Sequence, residues 1–154
     1  MLDPIRKSVL VPAPPEAAFR RFTDEIASWW PLASHSTGQE RTQTCIFEAR
    51  VGGHIYERLL DGSTALWGTV SLCDPPHRLA FSWHPGRAAD TAQTVEVRFT
   101  AEGGGTRIEL VHGGWERLGA EADTRHANYA RGWDFVLGEF AAPAAKRRTG
   151  QTRA

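Results

Sequence analysis

Glu57, His112, His35 and the two cysteines are the residues of this 154-residue chain whose types and settings could support chemistry. Alternation along His54–Leu60 puts Ile55, Glu57 and Leu59 on one strand face and His54, Tyr56 and Arg58 on the other. A carboxylate sharing a face with Ile55 and Leu59 is buried, and a buried charge must be paired, hydrogen-bonded or protonated. Glu57 is therefore a candidate ligand-orienting or acid–base group. A bulge after Gly52–Gly53 would instead turn it outward toward an arginine, and both placements stay open. His112 closes the segment Thr106–His112 on the face of Ile108 and Leu110. Its imidazole suits proton transfer near neutral pH, although a strand-end histidine bonded to the following turn is the plainer role. His35 follows Trp29-Trp30-Pro31 in a loop and could reach a cavity mouth, or simply be exposed.

Other reaction types lack their residues. His54, His77, His84 and His126 are scattered, and no HExxH or similar spacing predicts a metal. No GxSxG elbow is present, and neither Cys45 nor Cys73 has a base nearby in sequence, so both are expected as small buried hydrophobes. Gly52–Gly53 and Gly103–Gly105 precede no helix whose N-terminus would hold a phosphate, and they predict hairpin turns. No cofactor is expected.

The elements that must position these groups are marked by punctuation. Ile5–Val11 alternates as a strand and ends at Pro12, Pro14 and Pro15. Pro15 suits the first turn of a helix in which Ala18, Phe19, Phe22 and Ile26 recur at helical spacing, ending at Trp29-Trp30-Pro31. Six short segments follow, 44–51, 54–60, 66–73, 78–84, 94–101 and 106–112, separated by Gly, Pro and Asp turns. With the first strand they make seven, expected as antiparallel hairpins. The period then changes: His126, Tyr129, Ala130, Trp133, Val136, Leu137 and Phe140 form one stripe of a long amphipathic helix, preceded by a short helical turn over 115–122. Strand, helix, six-strand meander and long helix define an α+β domain spanning 1–142.

Lys+Arg and Asp+Glu each number 18, so the formal charge is zero, which argues against nucleic acid as a partner. The balance is uneven. Residues 143–154 carry Lys146, Arg147, Arg148 and Arg153 without an acid, and are expected to be a disordered basic tail. No apolar run approaches the roughly 18 residues of a membrane span, and the start lacks a signal peptide's apolar stretch, so a cytoplasmic protein is expected. Six tryptophans stand out in the composition. Trp83 shares a face with Leu79 and Phe81, and Trp133 lies on the helix stripe beside Gly132, so the two are expected to meet across the interior. Trp67 falls on the strand face opposite Leu66, Gly68, Val70 and Leu72, which turns it outward or over an edge. Trp29, Trp30 and Trp115 sit at element ends, where an aromatic can cap a cavity mouth.

The order of elements resembles the START-like (SRPBCC) superfamily, a helix-grip fold whose curved seven-stranded sheet wraps a long C-terminal helix. More narrowly, the chain is similar to activator-of-heat-shock-protein-90-ATPase homologues. The motifs are Phe22-Thr23 with Trp29-Trp30-Pro31, Gly52-Gly53 with Tyr56-Glu57, Trp67-Gly68-Thr69-Val70 and Asp74-Pro75-Pro76-His77-Arg78-Leu79. Phe81-Ser82-Trp83, Gly105-Thr106-Arg107, His112 through Trp115-Glu116, and Gly132-Trp133 continue the match. The resemblance implies a cavity between sheet and helix, and a connection to chaperones and the stress response in name. The chaperone-contacting N-terminal domain of the eukaryotic co-chaperones is not expected within 154 residues.

The expected function is binding of a small hydrophobic or aromatic molecule against Phe81, Trp83, Val97, Phe99, Leu110, Tyr129, Trp133 and Val136, oriented by Glu57 and His112. A chaperone-associated interaction module is the alternative, with an exposed patch near Trp29, Trp30 or Trp115 as its cue. An aromatase/cyclase-type enzyme ranks third and needs Glu57 or His112 in the cavity. Monomer and homodimer are both open.

Overall fold

A computed structural model describes residues 2–142. The basic tail expected over 143–154 lies outside the described residues. Seven strands run β1 (Ile5–Val11), β2 (Thr42–Phe47), β3 (His54–Leu59), β4 (Thr64–Asp74), β5 (Arg78–Trp83), β6 (Gln93–Glu102) and β7 (Gly105–Gly113). They form one antiparallel sheet in the order β1-β7-β6-β5-β4-β3-β2. Consecutive strands from β2 to β7 are hydrogen-bonded neighbours, as short turns require. The first strand closes the far edge against β7, with Ile5 opposite His112 and Val11 opposite Thr106. The sheet curls around two helices, α1 (Pro15–Phe22) and α2 (Ala122–Ala141).

The first helix is shorter than its apolar spacing suggests. It stops at Phe22, where the Thr23 hydroxyl and backbone N–H both turn back to the Phe19 carbonyl. A 3₁₀ turn over Ile26–Ser28 then buries Ile26 and carries Trp29 and Trp30 inward. The final helix follows the predicted stripe, but unevenly. Trp133, Val136, Leu137 and Phe140 are buried, whereas His126, Tyr129 and Ala130 are only half buried. The N-terminal half of α2 thus stands slightly off the sheet, and the space it leaves becomes the site described below.

Strand β4 departs most from simple alternation. Its pairing slips once against β3, so that Ile55 opposes Gly68 while Tyr56 opposes Leu66, and again against β5 around Ser71. The first bulge inserts Trp67 as an extra residue and reverses the local facing. Trp67 is 1% exposed and Leu66 is 40% exposed, the opposite of what plain alternation predicts. The expectation that Trp67 turns outward is corrected by that one-residue slip. Gly68 is obligatory at the same place, because a Cβ there would lie 1.8 Å from the Ser82 carbonyl oxygen. Gly68→Ala must push apart two paired strands, and we expect a loss of about 1–3 kcal/mol in urea unfolding. A neutral result would mean that the β4–β5 contact is looser than the geometry describes.

Candidate functional site

Glu57 points inward from β3 and is fully buried. Oε1 accepts from the Thr37 backbone N–H at 2.7 Å and the Trp67 indole N–H at 2.6 Å, while Oε2 accepts from the Gly38 N–H and the Thr42 hydroxyl, each at 2.8 Å. Burial by itself pushes this carboxyl up, but the four donors outweigh it and hold the group below its ordinary range. Glu57 is therefore an ionised carboxylate anchored entirely by neutral dipoles. Neither the solvent-facing alternative nor a free acid–base group fits this arrangement. What the four bonds do is tie the loop between Pro31 and Arg41 to β3 and β4. The same charge, after burial itself, pushes the neighbouring Cys45 thiol up to about 12, which keeps that sulfur inert.

His112 is likewise fully buried, at the inner face of β7. The Trp133 indole N–H donates to its Nδ1 at 2.9 Å, and its Nε2 lies 3.2 Å from Gln93 Oε1. An indole can only donate, so Nδ1 carries no proton and Nε2–H donates to Gln93. Gln93 is oriented in turn by its own amide N–H bond to the Thr91 carbonyl. The ring packs against Trp115 and Tyr129. Burial, with a smaller contribution from nearby His126, lowers its pKa to about 3. His112 is a neutral post holding Trp133 upright. The His112 backbone carbonyl also accepts from the Trp115 indole of the following turn, while the ring itself bonds Trp133 and Gln93 rather than that turn.

Above these posts lies a cavity of about 230 Å³. Its walls are Trp30, His35, Ser36 and Thr37 from the loop after α1, Trp83, Pro85 and Gly86 at the end of β5, and Tyr129, Gly132, Trp133 and Val136 from α2. The Trp83 and Trp133 rings face each other with centroids 5.6 Å apart, and Trp30 touches both at 5.9 and 6.1 Å. His35 stacks on Phe135 at the rim, 4.9 Å between ring centroids, and desolvation lowers its pKa. Gly132 borders the space rather than a close protein neighbour. A Cβ there would meet only His35 Cδ2, at an ordinary 3.9 Å.

Four of the residues expected to contact a ligand line this cavity: Trp83, Tyr129, Trp133 and Val136. Phe81, Val97, Phe99 and Leu110 are instead packed in the core. Glu57 and His112 stand one layer behind the wall, supporting it through Thr37 and Trp133. The loop residues His35–Thr37, the Pro85–Gly86 turn and Gly132 complete the wall. Sequence alternation misses most of these because they are not in strands, although the Trp-Trp-Pro and Trp-His-Pro-Gly runs mark both turns. Trp29, Trp30 and Trp115 are buried, so none forms the exposed patch an interaction module would need. Among the described residues no cluster of His, Cys, Asp and Glu could hold a metal, and no helix is long and apolar enough to cross a membrane.

A curled seven-stranded sheet with a long C-terminal helix closing over an aromatic cavity is the helix-grip, START-like class of ligand-binding fold. Residues 12–143 match the model of the activator of Hsp90 ATPase homologue 1-like proteins, and the chain belongs to that family. Among solved structures it is similar to an anthrahydroquino-γ-pyrone synthase, at 34% identity and a TM-score of 0.58 over 94% of this chain and 90% of that one. A Bacillus halodurans protein matches at 23% identity and TM-score 0.65, covering 91% and 95% of the two chains. An Aha1 dimer from Colwellia psychrerythraea matches at 14% and 0.64, covering 92% and 94%. The last two likenesses carry the fold alone. A search of curated protein sequences finds no match.

Proposed function

We propose that this protein binds a small, neutral, flat aromatic molecule in the cavity between the loop after α1, the end of β5 and helix α2. The observation that carries this reading is the cavity itself, walled by Trp30, Trp83 and Trp133 and about 230 Å³ in volume. An apolar cavity of roughly 150 Å³ already holds a benzene, so this one suits a fused-ring compound. No Lys, Arg, Asp or Glu lines it, which disfavours charged ligands. Gly132 supports the same reading. A helix-interior glycine costs about 1 kcal/mol relative to alanine, and here it leaves open space in the wall.

The test is calorimetric titration with naphthalene and chromone, two neutral fused-ring probes, on the wild type and on Gly132→Leu. The leucine puts a branched side chain into the cavity while improving helix propensity. We expect wild-type binding, reduced at least tenfold by the substitution. Failure of both probes to bind the folded wild type, with no small molecule co-purifying in native mass spectrometry, would sink the reading.

A second reading has one specific support. The 34% identity with an anthrahydroquino-γ-pyrone synthase favours a cyclisation enzyme of aromatic polyketide type. Its acid–base groups would have to come from the cavity wall, because Glu57 and His112 are both committed to structural bonds.

A further inference from the structure

Five of the six tryptophans have a hydrogen-bond acceptor for the indole N–H. Trp29 donates to the Arg21 carbonyl, Trp30 to the His35 carbonyl, Trp67 to Glu57, Trp115 to the His112 carbonyl and Trp133 to His112 Nδ1. Trp83 is the exception. Its residue is 4% exposed, it lines the cavity, and its Nε1 is buried with no hydrogen-bond partner. In a protein that satisfies its other indoles, one donor at a cavity wall left short of a full bond calls for a physical reason, since a buried unmet donor is destabilising.

The nearest relevant group is Tyr129, which lines the same cavity from α2. The indole N–H acts on the phenol oxygen as a hydrogen-bond donor and lowers its pKa, although the contact falls short of full hydrogen-bond geometry. Burial raises the Tyr129 phenol above its ordinary range against the opposing pull of Arg125 and Arg87, so the hydroxyl keeps its proton. An indole N–H can only donate, so when it closes on the tyrosine it takes a phenolic lone pair and leaves the O–H to donate onward. Two other polar side chains of the wall are already engaged. Ser36 bonds the Leu32 carbonyl and the Thr42 hydroxyl, and His35 Nδ1 is paired with Ser34.

The geometry points to Trp83 and Tyr129 as a donor pair that recognises a carbonyl oxygen on the flat aromatic ligand, with Tyr129 O–H on the oxygen and Trp83 N–H behind it. The ligand class is thereby narrowed, on top of the proposed aromatic binding, to neutral fused-ring ketones, pyrones and quinones. A pure hydrocarbon would leave the Tyr129 O–H unmet. A carboxylate would arrive with a full charge and find no cation in the wall.

The experiment compares chromone with naphthalene, two flat bicycles that differ in the carbonyl and ring oxygens, on wild type, Tyr129→Phe and Trp83→Phe. Tyr129→Phe removes only the hydroxyl and is expected to weaken chromone roughly tenfold while leaving naphthalene unchanged. Trp83→Phe removes part of the wall as well as the N–H, so it should weaken both probes, chromone several-fold more than naphthalene. Indole ¹⁵N–¹H spectra of the unmutated protein give a readout independent of any variant. Chromone should move the Trp83 N–H signal downfield, the direction of a strengthened hydrogen bond, and naphthalene should not. Equal losses for both probes in Tyr129→Phe, or a Trp83 N–H signal indifferent to chromone, would overturn the donor-pair assignment while aromatic binding itself stood. If neither probe binds wild type, both the assignment and the underlying reading fail.

Discussion

Replacing Glu57 by alanine should cost this protein about 3–5 kcal/mol of stability, since four donors lose their acceptor and each that stays buried and unmet costs about 1–3 kcal/mol. The carboxylate is the common acceptor for Thr37 N, Gly38 N, Thr42 Oγ1 and Trp67 Nε1, and of these four the Thr42 hydroxyl has a second oxygen within reach, Ser36 Oγ at 2.7 Å. Water can reach the two backbone amides once the loop loosens, but the Trp67 indole is packed under Trp30 and Trp83 and stays dry. Glu57→Gln should cost less, about 2 kcal/mol. With the amide nitrogen in the Oε2 position, the Thr42 hydroxyl can rotate to accept, and only the Gly38 N–H is left facing a donor. The same loop carries His35, Ser36 and Thr37 of the cavity wall, so ligand affinity should fall in both variants. The measurement is urea unfolding combined with amide hydrogen exchange at Thr37 and Gly38. Unchanged protection at those two amides in Glu57→Ala would show that the loop is held by something else.

The second large effect is loss of stability in acid. His112 is neutral in the fold with a pKa near 3, against 6.5 for an unconstrained imidazole. The unfolded chain therefore takes up a proton at a pH where the folded one refuses it. Stability is complete above about pH 6.5 and declines as pH falls, by about 1.4 kcal/mol per pH unit once well below the unfolded value. Between pH 7 and pH 4.5 that amounts to about 2.5 kcal/mol. Glu57 acts with the same sign in a lower window. Its depressed pKa keeps it ionised in the fold, so its contribution is present above about 4.5 and is lost as pH drops through its folded value. Protonating His112 also sets an N–H against the Trp133 N–H, which would force a cavity wall residue to move. Ligand affinity should fall over the same acid range. In His112→Gln stability drops at neutral pH, and the slope between pH 6.5 and 4.5 should flatten, so the deficit narrows in acid. An unchanged slope would assign the acid sensitivity to other groups.

The elements were readable in the chain because each carries its own burial pattern. The strand segments from Arg78 onward begin and end within a residue or two of the observed β5, β6 and β7, since Gly, Pro and Asp turns bound alternating apolar residues. The helix stripe through Trp133 to Phe140 is buried as its 3.6-residue period requires. The meeting of Trp83 and Trp133 follows from two facing stripes and a single way to close helix on sheet. Trp67 was not readable, because one extra residue in β4 reverses which side a strand presents, and nothing in Leu66-Trp67-Gly68 announces the slip except the glycine.

The sequence by itself determined the fold class, the order of the elements and the aromatic character of the interior. These are sums of local preferences, and local preferences are written along the chain. Only the tertiary structure decided that Glu57 is an anchor rather than an acid, because its four donors come from residues 10 to 20 positions away. Only the tertiary structure showed His112 as a post for Trp133 and left the Trp83 indole short of a fully formed hydrogen bond. A cavity is the space remaining after separate elements have packed. It belongs to no element's own pattern, and its polar groups are known only once every other bond has been assigned.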